Sequence, residues 1–183
     1  RPSDSNCIWI EVLKFAVRIE GSTKRFELYL DRSLEVCSTL DSKSRSIGFA
    51  QVNEAQNLVL IEAVVEKART LNPQRIIELY AGSGNFSFPL ANAFHQIKIA
   101  AVELHELSVK SAQETKERQN IANLDFHCRD VADYLENCGS APGTMVLLDP
   151  PRDGCTSEVI SSILKLEPES LIYISCNPVT QAR

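Results

Sequence analysis

Residues 75–91 read RIIELYAGSGNFSFPLA, and the order of residue types within them decides the fold. RIIELY (75–80) is a short apolar run rich in isoleucine, the pattern of a buried strand. Gly82 and Gly84 follow at once and permit a tight turn in which backbone N–H groups can approach a ligand without Cβ interference. Helical spacing then covers 84–95, so the stretch is strand, glycine turn, helix. A dinucleotide fingerprint would place a third glycine at 87, where Ser87 stands.

Downstream the alternation continues. Strands are expected at 97–103, 124–128, 144–149 and 170–176, and helices at about 106–119, 130–137 and 156–165. Strands alternating with helices give an α/β fold with a parallel sheet covered on both faces, wound outward in two directions. In such sheets ligands bind at the carboxyl ends of the strands near the point where the strand order reverses. Upstream, Leu58, Ile61, Glu62, Val65 and Ala68 fall at helical spacing over about 54–70, ended by Asn72-Pro73. Residues 8–19 and 26–30 flank Gly21-Ser22-Thr23 as a hairpin, and the polar, serine-rich 31–48 reads as a loop or linker. The division that follows is an N-terminal hairpin and linker segment at 1–46, the remnant of a preceding domain, and a main domain at 47–183.

The residues with chemistry in them sit at expected strand ends. Glu103 closes the second strand about 20 residues past the glycine turn, where an acid can accept from both hydroxyls of a ribose. Glycine turn and acid together point to a nucleoside-containing cofactor, against the plainer alternative of a tight turn and a solvated carboxylate. Asp130, past the third strand, is placed either to bond an adenine amino group or to cap the short helix behind it. After the fourth strand comes Asp149-Pro150-Pro151-Arg152, whose prolines stiffen the loop so that Asp149 and Arg152 project from a fixed frame suited to the edge of a flat ring. After the fifth comes Ser175-Cys176-Asn177-Pro178. A thiolate there could add to C6 of a uracil and make its C5 nucleophilic; the alternative for Cys176 is a small buried hydrophobe.

With 183 residues, 44% hydrophobic and 23% charged, the chain has the composition of a globular protein, and no segment reaches the ~18 to 20 apolar residues of a membrane span. The net charge of −5 is split as +1 over residues 1–50 and −6 over 51–183, which argues against a broad nucleic-acid-binding surface. Cys7, Cys37, Cys128, Cys138, Cys155 and Cys176 are scattered without metal-ligand spacing, as free thiols of a reducing cytosol are. His95, His105 and His127 show no ligand spacing and read as surface or capping residues. The chain opens on Arg-Pro-Ser-Asp without a targeting signal and ends a few residues after Cys176, so a trimmed fragment is expected.

Four segments, FAQVN (49–53), ELYAGSGNFSFPLA (78–91), LLDPPRDGC (147–155) and YISCNPVTQAR (173–183), resemble the RNA 5-methyluridine methyltransferases, over roughly residues 47–183. The resemblance implies a class I Rossmann-like methyltransferase sheet lacking its last two strands, with a small N-terminal β-hairpin appendage. It also implies S-adenosylmethionine as cofactor and a uridine of transfer or ribosomal RNA as substrate, extruded from its stack. By the same resemblance Cys176 matches the nucleophile; Gln51, Tyr80, Asn85, Glu103 and Asp149 match cofactor contacts, with Asp130 a looser match; Asp149 and Arg152 lie where the flipped uracil is oriented. The family's proton-accepting glutamate would lie beyond Arg183, so an adduct that forms but releases product slowly is expected. The competing expectations are an amino or small-molecule methyltransferase on the same fold, a non-catalytic RNA-binding module and, less well supported by Ser87, a nicotinamide dehydrogenase.

Overall fold

The computed structural model of the chain describes residues 7–20, 23–37, 54–139, 142–151 and 153–175, the first two stretches by their backbone pairing. Seven strands, β1 (Cys7–Glu20), β2 (Thr23–Cys37), β3 (Arg75–Leu79), β4 (Lys98–Glu103), β5 (Leu124–Cys128), β6 (Thr144–Leu148) and β7 (Ser170–Ser175), form one sheet. Its order is β2-β1-β7-β6-β3-β4-β5. The five strands from β7 to β5 run parallel, joined by α2 (Ser87–Ala93), α3 (Glu106–Arg118), α4 (Val131–Glu136) and α5 (Ser157–Leu166); α1 (Glu54–Leu71) precedes β3.

The inner strands read as continuous apolar runs because both faces are covered. All five residues of β6 are buried, as are the last four of β3. Alternate strand residues supply two cores. Ile76, Ile99, Ala101, Phe126, Met145, Leu147 and Ile172 pack with Leu60, Val64, Phe86, Leu90 and Val109 of α1 to α3 and the turn before α2. Ile77, Leu79, Val102, Val146, Leu148 and Leu171 pack with Val131, Leu135, Val159, Ile163 and Leu166 of α4 and α5.

Three helices start on side-chain caps that satisfy otherwise orphaned N–H groups. The His105 ring accepts from Ser108 N, Asp130 from Ala132 and Asp133 N, and Thr156 from Val159 N. In α1 Leu60, Val64 and Ala68 are buried and Ile61 and Val65 pack against the same core, whereas Leu58, expected on this face, stays exposed, so the stripe is centred slightly to one side of the one the spacing suggested.

The N-terminal segment departs further from expectation. β2 runs through Cys37, so that 31–37, expected as loop, is strand; the alternation Arg32, Leu34, Val36 suits a strand once a register shift at Val12/Leu13 has absorbed one residue. β1 pairs antiparallel with β7 over Trp9↔Ser175 to Lys14↔Ser170 and extends the main sheet, which would otherwise end in an unpaired edge. The boundary expected at 46/47 lies outside the described residues. Among the described residues no helix is long and apolar enough to cross a membrane.

Candidate cofactor crevice

The chain leaves β3 for β4 and β5 on one side and returns to β6 and β7 on the other, so the strand order reverses between β3 and β6. Their carboxyl ends carry the glycine turn and Asp149, and the Asp149 N–H lies 3.5 Å from the Leu79 carbonyl across the gap. The crevice that the topology demands is thus lined by residues singled out in the sequence.

Two positions in the turn demand glycine for different reasons. Gly84 has φ +94, and a Cβ there would lie 2.7 Å from the Phe88 ring and 3.0 Å from Phe126, so the turn packs flat against α2 and β5. Gly82 has φ +56 with nothing within 4 Å of the Cβ position: it faces open space, where a ligand can approach the backbone. Tyr80 also adopts a left-handed conformation, φ +63, which is costly for a non-glycine residue and turns the chain sharply off β3.

Glu103 clamps this turn. One carboxylate oxygen accepts from Gly82 N at 2.9 Å and the other from His105 N at 2.8 Å, joining the end of β4 to the end of β3. A carboxylate has about four lone-pair sites, so both oxygens keep capacity for further donors. Asp130 at the end of β5 accepts through Oδ1 from Ala132 N at 2.8 Å and Asp133 N at 3.3 Å; the capping alternative is present in the structure. Asn85 reaches α1, where its amide pairs with that of Asn57. Gln51, Arg152 and Cys176 lie outside the described residues; Cys176 follows directly on the last residue of β7.

Several groups at the crevice were not singled out in the sequence. Glu78 is 1% exposed within β3, and the Ser87 hydroxyl donates a short hydrogen bond to it. Ser87 is therefore the residue that holds a buried acid, in the place where a dinucleotide fold would have glycine. Burial pushes the Glu78 carboxyl up to about 8, and the neighbouring Asp149 adds to the rise. Asp149 itself is pushed up to about 6 by burial. Among the described residues no Lys or Arg forms an ion pair with either acid. A lone acid within the otherwise apolar IIEL (76–79) was the available sequence signal for Glu78; nothing comparable marks Asn57. Cys155, half-buried beyond the Asp149 turn, borders with Tyr80 and Tyr173 the core on the α4 and α5 side, and burial pushes its thiol up to about 11.

A parallel sheet with this strand order, a glycine turn after its central strand and an acid closing the next defines the class by fold: a Rossmann-like nucleotide-binding sheet. The SAH-bound methyltransferase PaMTH1 of Podospora anserina shares the fold, with a TM-score of 0.52 at 16% identity over 58% of this chain and 46% of that one.

The chain belongs to the tRNA (Uracil-5-)-methyltransferase family, whose profile matches residues 13–138. It is 32% identical over 161 residues to the uncharacterized RNA methyltransferase Bd3828 of Bdellovibrio bacteriovorus, covering 87% of this chain and 40% of that one. It is 37% identical over 137 residues to the 23S rRNA (uracil(1939)-C(5))-methyltransferase RlmD of Pseudomonas putida, covering 74% and 30%. The chain thus spans well under half the length of these relatives.

The cofactor of this family is S-adenosylmethionine, and the residues present fit it. Gly82 leaves room for close approach, and Glu103 offers carboxylate oxygens to a sugar edge.

Proposed function

We propose that this chain is the cofactor-binding and catalytic core of an S-adenosylmethionine-dependent RNA methyltransferase that forms 5-methyluridine in transfer or ribosomal RNA through a cysteine adduct. The observation that carries this reading is the crevice between β3 and β6. There an open glycine turn, Glu103 and Asp149 meet, with β7 leading directly into Ser175-Cys176-Asn177-Pro178.

In this reading Glu103 accepts from the ribose hydroxyls, Gly82, Gly84, Tyr80, Asn85 and Gln51 shape the remainder of the cofactor site, and Asp130 addresses the adenine side. Asp149 and Arg152 hold the edge of an extruded uracil. The bound cofactor supplies an electrophilic methyl group. The Cys176 thiolate adds to C6 of the uracil, the C5=C6 electron pair moves toward C5 and O4, and C5 becomes a competent carbon nucleophile. Once C5 has taken the methyl group, loss of the C5 proton to a general base and expulsion of the thiolate restore the ring and the enzyme.

The test is denaturing electrophoresis after mixing the protein, S-adenosylmethionine and an RNA carrying 5-fluorouracil, whose fluorine cannot leave as a proton does. A slow-migrating covalent band that disappears in Cys176→Ala supports the reading. Methylation of RNA or of a small amine that survives Cys176→Ala overturns it in favour of an amino or small-molecule methyltransferase.

A further inference from the structure

Both ends of the glycine turn are tied to neighbouring elements. At its entry Gly82 N donates to Glu103 at the end of β4, at 2.9 Å. At its exit the tie is Asn57, a half-buried residue in the first turn of α1. Asn57 Nδ2 donates to Asn85 Oδ1 at 2.9 Å, and Asn85 Nδ2 donates to Asn57 Oδ1 at 3.0 Å. Turning either amide over would set N–H against N–H and oxygen against oxygen, so each amide fixes which way the other faces.

The backbone before Asn85 is equally confined. Gly84 N donates to the Ala81 carbonyl at 2.9 Å, and the Gly84 carbonyl accepts from Phe88 N at 3.2 Å. The rings of Phe88 and Phe126 leave no room for a Cβ at position 84, so the turn cannot shift toward them. Asn57 in its turn stands on a firm base, because the following turns of α1 bury Leu60, Val64 and Ala68 in the core.

We propose that Asn57 is a positioning residue, which through Asn85 aims a side-chain N–H at the carboxylate of the cofactor's amino-acid arm. This role rests on reading the crevice as the cofactor site. In that reading the ribose lies on Glu103 at the end of β4 and the base toward Asp130, just past β5, so the base points outward along the sheet. The amino-acid arm then runs the other way, back over the turn from which Asn85 projects. The closed pair uses one of the two N–H donors of Asn85, and the donor left over is the group a carboxylate takes. Asn57 donates nothing to the ligand itself; it decides the direction in which Asn85 can donate. Without Asn57 the Asn85 amide can rotate, and ordering it again on binding costs conformational entropy.

Calorimetric titration with two ligands separates this role from a general loosening of the site, and it needs no RNA. S-adenosylhomocysteine carries the amino-acid arm, whereas 5′-methylthioadenosine keeps the nucleoside and lacks the arm. Asn57→Ala is expected to weaken S-adenosylhomocysteine about 5-fold and to leave methylthioadenosine within about 2-fold of the parent. Asn85→Ala should weaken S-adenosylhomocysteine at least as much, and adding Asn57→Ala to it should change nothing further. Parent-like affinity for S-adenosylhomocysteine in Asn57→Ala, a comparable loss for both ligands, or an undiminished loss in the Asn85→Ala background overturns the positioning role. Should methylthioadenosine bind too weakly to measure, the Asn85→Ala background decides. Should Asn57→Ala fail to fold, Asn57→Leu, which keeps the volume without the amide, is read by the same criteria. A parent chain that binds S-adenosylhomocysteine beside an unaffected Asn57→Ala overturns this role alone; a parent that does not bind it overturns the cofactor assignment, and this role with it.

Discussion

The side-chain amides of Asn57 and Asn85 exchange two hydrogen bonds, 2.9 and 3.0 Å long, each donating to the other's oxygen. The pair fastens the first turns of α1 to the segment that leaves the glycine turn, 28 residues further along the chain. An asparagine amide offers one acceptor oxygen and two N–H donors, so this closed pair leaves each residue one N–H to offer elsewhere. If Asn85 contacts the cofactor, it does so from a side chain whose rotamer α1 has already fixed.

Replacing either residue by alanine is expected to cost about 1–2 kcal/mol, because the partner amide stays partly buried with its bonds unmade. A double-mutant cycle on Asn57→Ala and Asn85→Ala, read by urea denaturation, should give a coupling of about 1 kcal/mol. Strict additivity would show that the two amides do not act as a pair.

The buried acid of β3 makes stability depend on pH in a defined direction. Glu78 has its carboxyl raised from 4.5 to about 8, so the folded state holds a proton that the unfolded state has lost between those values. The contribution is fully present below 4.5 and is lost as pH rises through about 8. Asp149, raised to about 6, works with the same sign in the lower part of that window. Glu78→Gln keeps an acceptor for the Ser87 hydroxyl and removes the titration. Thermal midpoints measured from pH 5 to 9 should fall more steeply for the parent than for the variant; parallel curves would mean that Glu78 does not hold its proton.

Gly82 and Gly84 should respond differently to alanine. Both pay for a side chain at positive φ, about 1 kcal/mol. Only at Gly84 does the new methyl strike the Phe88 and Phe126 rings, at 2.7 and 3.0 Å, so Gly84→Ala should destabilise the fold by a further ~1–3 kcal/mol. Gly82→Ala should leave the melting curve closer to the parent and act instead on cofactor affinity, since its methyl points into open space. Equal destabilisation by the two substitutions would contradict this geometry.

Cys128 is exposed and Cys155 is half-buried with its thiol pushed up to about 11. At pH 8 roughly one Cys155 in a thousand is a thiolate, and iodoacetamide reacts with thiolates. Timed alkylation followed by peptide mass spectrometry should show Cys128 modified well before Cys155 in the folded chain. Comparable rates would place Cys155 in a more open setting than its half-burial beside the core allows.

The parallel sheet and its crevice were legible because their signals are local. Strand, turn and helix succeed one another within the 17 residues from Arg75 to Ala91, and the acid that clamps the turn closes the very next strand. What could not be read depends on partners distant in sequence. The alternation in β1 marks a strand but says nothing of the neighbour it takes, so its pairing with β7 was hidden. Leu58 was placed on the buried face of α1 because Leu58, Val59, Leu60 and Ile61 are consecutive apolar residues, and helical spacing alone does not choose among rotations of so broad a face. Cys155 gave no sign of its surroundings, since Tyr80 and Tyr173, which border the same core, come from other segments of the chain.

The antiparallel contact between β1 and β7 also sets a timetable. During synthesis the hairpin leaves the ribosome about 130 residues before Ser170, the first residue of the strand it must join. At ~5–20 residues per second that is a wait of roughly 7 to 26 s. For that interval β1 has β2 on one side and no partner on the other, and the loop to be closed is among the longest the chain can offer. The parallel strands can meanwhile assemble in order behind it. The seam between β1, made early, and β7, made late, therefore closes after the parallel strands, and a delay there exposes both edges to other chains.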